Sequence, residues 1–293
     1  MVTRQYAIVE APSVLGLRPT GVERLPDALM GAGLDAQLGA RRAARVEPPP
    51  YDHRRDPETL MLNAQGIAQY TRTLADAIGK ILETGDFPVV LGGDCSIVLG
   101  GLLALRRHGR YGLLYVDGHA DFYQPEANTN GEAASSDLAL ATGRGPDIMT
   151  TFEGYRPLVR DADVVLLGFR DAEEAASYGS QVPPPEMRTI DLTEIRRSGV
   201  DATAREAVER LSRPWLDGFW IHLDVDALDD AIMSAVDYRL PDGLSWLELD
   251  AILRTALSSP KAVGMEVTIF NPHLDDGTLA RALVEALVGS LTQ

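Results

Sequence analysis

The chain is almost without lysine. Of its 27 basic residues only Lys80 and Lys261 are lysine, and the other 25 are arginine. Positive charge is scarce altogether: 43 Asp and Glu set the net charge at −16. That balance disfavours nucleic acid and anionic membrane as partners, because both need a basic face. There is one cysteine, Cys95, so an intrachain disulfide is excluded. No run of 18 apolar residues occurs, so a transmembrane helix is not expected. The amino terminus, MVTRQYAIVEAP, lacks the apolar core of a secretion signal, and a soluble cytoplasmic protein is the expectation. Internal repeats and Gly/Ser linkers are missing too, so residues 1–293 read as one domain.

Hydrophobic residues make up 45% of the 293, which supports a sizeable core and argues against global disorder. About seven apolar runs read as strands: 6–9, 88–91, 111–116, 164–168, 187–190, 218–223 and 262–267. Most are separated by segments with helical spacing of apolar residues. Pro26 interrupts a helix over 21–34. Asp56 and Pro57 start one that runs through Leu82, and Ser245 caps one that reaches Leu257. This alternation predicts an α/β fold, a parallel sheet covered on both faces, with sites at the carboxyl ends of strands.

Four clusters sit at such ends. Tyr115-Val116-Asp117-Gly118-His119-Ala120-Asp121 places Asp117, His119 and Asp121 at alternate positions. If extended geometry continues, they share one face. Two carboxylates and an imidazole in one small volume call for a cation; the alternative for this stretch alone is a solvated loop. His222-Leu223-Asp224-Val225-Asp226 repeats the pattern, with His222, Asp224 and Asp226 expected on one face. In Gly92-Gly93-Asp94-Cys95-Ser96 the two glycines suit a turn with positive φ. Cys95, at a helix start, reads as a metal ligand, a nucleophile or a packed small residue. Glu266, in Gly264-Met265-Glu266-Val267, ends the last strand; a guanidinium would match its carboxylate, and a solvated strand end is the alternative.

Taken together, GGD-x-S, D-x-H-x-D, D-x-D and a late E-V resemble the arginase/agmatinase (ureohydrolase) family from about Gly92 to Asn271. The resemblance implies a three-layer αβα fold with a mostly parallel central sheet of about eight strands. It implies two Mn2+ ions and a small guanidino-type substrate, with metal-activated hydroxide attacking the amidine carbon. Asp117 and Asp224 match the carboxylates that bridge the metals, Asp121 the completion of the first metal site, and His119 and Asp226 that of the second. Glu266 matches the carboxylate that receives the guanidinium. Asn130 and Glu132 fall where the substrate is met, and a homo-oligomer, trimer or hexamer, is the family's habit.

Three departures stand out. Cys95 occupies the position of the usual histidine ligand to the first metal, as in a minority branch that includes a hydroxyarginine amidinohydrolase. Ala134 replaces a proton-transfer histidine, which leaves Glu132 or His222 as substitutes. The loop after D-x-D has diverged, so L-arginine itself is not the default substrate. Two competing readings follow: a catalytically silent relative that binds or regulates, and direct attack by the Cys95 thiol with His119 or His222 as base.

Overall fold

Seven apolar runs and one arginine-rich run build a single eight-stranded sheet. The computed structural model describes residues 4–292. The strands are β1 (Tyr6–Ala11), β2 (Arg41–Arg45), β3 (Phe87–Gly92), β4 (Tyr111–Val116), β5 (Val164–Leu167), β6 (Arg188–Ile190), β7 (Gly218–Asp224) and β8 (Ala262–Thr268). Their order across the sheet is β2-β1-β3-β8-β7-β4-β5-β6, and every pairing is parallel. The central strands β3, β4 and β7 are buried along nearly their whole length. Such strands read as continuous hydrophobic runs because helices cover both faces.

One face packs against the helices Ala64–Thr84, Val98–Arg106 and Asp137–Ala141. The other packs against Leu25–Gly31, Val200–Leu211, Trp246–Ser258 and Thr278–Leu291. The result is the expected three layers. Helix Ala64–Thr84 buries Ile67, Ala68, Thr71, Leu74, Ala75, Ile78 and Ile81, the 3.6-residue stripe of an amphipathic helix. Ser245 closes a capping box with Glu248, as its position before an apolar helix suggested.

Two expectations are corrected, and one strand is added. The sequence cue at Asp56 does not start the long helix. Asp56 Oδ1 does accept from the amides of Glu58 and Thr59. The chain then passes through left-handed Leu60 and Asn63, at φ 59° and 52°, and the helix begins only at Ala64. Pro26 does not interrupt a helix but sits in the first turn of Leu25–Gly31, where its missing N–H has no cost. And β2, with the sequence RRAAR, carries no apolar run at all. It is an edge strand, where charge is useful against unwanted pairing; Arg45 there pairs with Glu10, Asp27 and Glu47, each at 2.7 Å.

Candidate metal centre

The chain crosses from one side of the sheet to the other after β3, and β7 and β8 later fill the gap. The carboxyl ends of β3, β8, β7 and β4 therefore meet side by side, the switch point at which open α/β sheets form clefts. Register then decides which side chains align. Tyr115 pairs with His222, and His222 with Glu266. One step further along, Asp224 pairs with Thr268. Because side chains alternate, Tyr115, His222, Asp224, Glu266 and Thr268 all point to one face of the sheet. Polar residues ending three buried strands on one face are costly unless something satisfies them.

The strands stop just before the donors finish. β4 ends at Val116, and Asp121 is left-handed at φ 45°. β7 ends at Asp224, and Asp226 lies in a single helical turn, Val225–Ala227. Simple alternation therefore does not arrange the donors. They fall into two groups that share Asp117. Cys95, Asp117, His222 and Asp224 have ligand atoms within 4.8 Å of one another, and so do Asp117, His119 and Asp226. Asp121 is outside both groups: its Oδ2 lies 2.9 Å from the hydroxyl of Tyr115.

Each donor is held by its neighbours. Asp117 Oδ1 accepts from the amide of His119 at 2.6 Å, and its Oδ2 has no partner. Asp224 Oδ1 accepts from the amide of Asp226, and its Oδ2 accepts from Cys95 Sγ at 2.9 Å. His119 Nδ1 is 3.0 Å from Asp226 Oδ2. The turn at Asp226 is pinned by Arg170, which sequence reasoning missed. Its Nη2 donates to the carbonyls of Asp226, Leu228 and Leu240.

Electrostatics follow from burial. Desolvation, then the neighbouring carboxylates, push Asp121 and Asp224 well above the usual carboxylate range. Burial followed by Asp226 raises Asp117. Burial works upward on Asp226 too, but His119 and Arg170 overrule it and hold Asp226 low. Burial works downward on His119, yet Asp226 and Asp117 lift it well up. Burial, then Asp224, raises the Cys95 thiol well above its ordinary value. Protons thus stand where a divalent cation would relieve the same repulsion. The oxygen and nitrogen atoms of Asp117, His119 and Asp226 suit a hard divalent cation, while the group with the Cys95 sulfur is softer.

The site opens to solvent through a cavity of about 230 Å3. Cys95, His119, Asp121, Asp224 and Asp226 line it, with Asn130, Asp171, Glu174 and Tyr238 among the residues of its walls. Ala134 also lines it, so nothing basic stands at that position. Asn130 Nδ2 donates to Glu132 Oε2 at 2.8 Å, and Tyr238 donates to the same oxygen at 2.5 Å. Glu132 itself is 2% exposed and sits behind them. His222 and Glu266 do not line the cavity. Both are fully buried, and His222 Nδ1 lies 2.8 Å from Glu266 Oε1. Asp137 was also missed: fully buried, it lies 2.8 Å from the Tyr115 hydroxyl.

Against known proteins, the model of the arginase family matches residues 4–292. The chain belongs to the arginase family. Among the relatives of this arginase-family chain is the arginase of Bacillus caldovelox, 27% identical over 304 residues, with 98% of each chain covered. The arginase of Staphylococcus aureus strain MRSA252 is 26% identical over 291 residues, covering 97% of this chain and 95% of that one. The native structure of the Bacillus caldovelox arginase at pH 5.6 superposes with a TM-score of 0.87 at 26% identity, over 99% of this chain and 98% of that chain. Family membership agrees with the all-parallel eight-stranded sheet and with donors at the ends of β3, β4 and β7. Among the described residues, no helix is long and apolar enough to cross a membrane.

Proposed function

We propose that this chain is a metal-dependent hydrolase that cleaves a C–N bond in a small linear amidine or guanidino compound. The substrate class is arginine-like or N-hydroxyarginine-like, and the product is urea or a urea derivative. The observation that carries this reading is the shared carboxylate. Asp117 belongs to both donor groups, and its Oδ2 is buried without a partner. A carboxylate placed between two ligand sets suits a two-cation site. Mn2+ is the ion proposed for Asp117, His119 and Asp226, whose oxygen and nitrogen donors are of the type it accepts. Divalent cations held there supply Lewis acidity and a nucleophilic water near neutral pH.

The chain's own residues have definable tasks. His119 is the partly exposed donor, with 20% of its side chain accessible, so it faces the substrate side. Asn130 and Tyr238 contact substrate from the wall. Glu132 orients both through the hydrogen bonds described above. Asp171 and Glu174 give the cavity an acidic wall, which suits a cationic compound. Self-association as a trimer or hexamer belongs to the same proposal, and light scattering on the purified chain tests it.

The test is a screen of guanidino compounds for urea release, run with Mn2+, Fe2+, Ni2+ and Zn2+ in turn. Metal-dependent turnover that disappears in Asp117→Asn supports the reading. No turnover with any metal sinks it. One observation favours a second reading, a relative that binds its ligand without turning it over: His222 closes off Glu266, the carboxylate expected to receive the guanidinium. The same screen separates the two, because any metal-dependent turnover rules the second reading out.

A further inference from the structure

The core of the site holds three buried polar atoms with no hydrogen-bond partner: Asp117 Oδ2, His222 Nε2 and Glu266 Oε2. All three residues are 0% exposed. His222 Nε2 lies 3.9 Å from Asp117 Oδ2, so the two orphans face each other. On the other side of the imidazole, Nδ1 is held by Glu266 at 2.8 Å. The ring of Tyr115 stacks on it, with centroids 4.2 Å apart and planes at 10°. With Nδ1 engaged by Glu266, Nε2 is the ring nitrogen aimed at Asp117. A carboxylate that fixes the tautomer and plane of an imidazole in this way is the usual support of a metal-bound histidine. Opposite His222, Cys95 Sγ is 2.9 Å from Asp224 Oδ2 and 3.2 Å from Thr268 Oγ1.

We propose that Cys95, His222, Asp117 and Asp224 form a closed site for a borderline-soft divalent cation, Zn2+ ahead of Mn2+, with Glu266 as the positioning residue of His222. One thiolate, one imidazole and two carboxylates in a buried group match the four-coordinate preference of zinc, whereas sulfur is a poor donor for manganese. The thiol proton leaves to solvent as the sulfur binds, so loading releases protons. Glu266 is then committed to a ligand and is not the acceptor of a substrate guanidinium. The inference rests on the reading that the Asp117 cluster binds metal. It adds a division of labour: a soft, more deeply buried site on Cys95 and His222, beside a hard one that includes the partly exposed His119.

The test uses Co2+ as a spectroscopic stand-in for Zn2+, titrated into the metal-stripped full chain. The first equivalent is expected to produce a sulfur-to-cobalt charge-transfer band and the intense visible bands of a four-coordinate ion. Zn2+ should bleach both, and Mn2+ at equal concentration should not. Glu266→Gln should keep the bands but weaken Co2+ binding about 10- to 100-fold. Cys95→Ser should lose the charge-transfer band, with its fold checked by circular dichroism. Absence of the band in the unmodified protein would overturn the proposal, as would its survival in Cys95→Ser, unchanged affinity in Glu266→Gln, or equal competition by Mn2+. These optical readings do not depend on turnover. A normal cobalt spectrum without urea release would refute the hydrolase reading alone, and urea release without the band would refute the soft site alone.

Discussion

Gly93→Ala tests how the metal centre is held together. Gly93 follows β3 and leads into Cys95. An alanine Cβ there would lie 1.7 Å from the carbonyl oxygen of Ser13 and 2.8 Å from its carbonyl carbon. Both are backbone atoms, so no flexible side chain can step aside. The gap is about 1.7 Å short of van der Waals contact. It is fixed from two sides, because Asp94 donates its amide to Ser13 O at 3.0 Å, and Ile269 donates its amide to Gly93 O at 2.8 Å. The Ser13 hydroxyl also donates to Asp94 Oδ2 at 2.8 Å. Opening the gap breaks a backbone bond worth about 1 kcal/mol and a charge-assisted bond worth about 1.5–3 kcal/mol. Overpacking in a dense interior adds about 1–3 kcal/mol. The expected loss is about 4 kcal/mol or more, read as a lower urea midpoint at unchanged slope. Gly79→Ala is the control. It lies inside helix Ala64–Thr84, where an added Cβ meets nothing within 4 Å. There alanine should stabilise by about 0.5–1 kcal/mol. A loss below about 1 kcal/mol for Gly93→Ala, or midpoints that move in the same direction for both variants, would refute this account of the turn.

Three other outcomes follow from the same geometry. In the metal-free protein, burial and neighbouring carboxylates raise Asp121 and Asp224. The folded state therefore binds more protons than the unfolded one above about pH 4. The contribution of these two groups should be fullest below that pH and fall as pH rises toward the raised values. The melting temperature should be lower at pH 8 than at pH 6, with the gap narrowed by saturating divalent cation; a rise with pH contradicts the assignment. Tyr115→Phe removes a hydroxyl placed between Asp121 and Asp137, at 2.9 Å and 2.8 Å, and should cost about 1–3 kcal/mol in urea unfolding, while an unchanged midpoint would mean that the hydroxyl satisfies neither carboxyl. Ser245→Ala breaks both halves of a capping box and should cost about 1 kcal/mol, measured in the same way; a neutral result would show that packing alone fixes the start of that helix.

Much of the architecture was legible because burial writes itself into composition. The inner strands are buried on both faces and so read as apolar runs, and polar residues that interrupt such runs at their ends are conspicuous. β2 was not legible because an edge strand needs no apolar run. The turn at Gly92-Gly93 was located correctly and explained wrongly. Neither glycine has positive φ; both are needed for space, since a Cβ on Gly92 would meet Ile97 at 2.1 Å. Alternation also failed at Asp121 and Asp226, because each lies beyond the end of its strand. Residues such as Arg170 and Asp137 gave no local signal, since their importance comes from what is brought to them by distant parts of the chain.

The least legible feature is the one that most alters the chemistry. From sequence, His222 and Glu266 are two polar residues 44 positions apart, each near the end of its own strand. Only the insertion of β8 between β3 and β7 makes them direct neighbours. Once they are neighbours, a carboxylate at the floor of the site is no longer free. His222 holds Oε1 at 2.8 Å, and the remaining oxygen, Oε2, is buried away from the opening. A guanidinium reaching for Glu266 would have to displace an imidazole that is stacked on Tyr115 and sealed from the cavity. Under the proposed function, recognition of a cationic substrate would pass from the floor to the wall, where Asp171 and Glu174 line the opening.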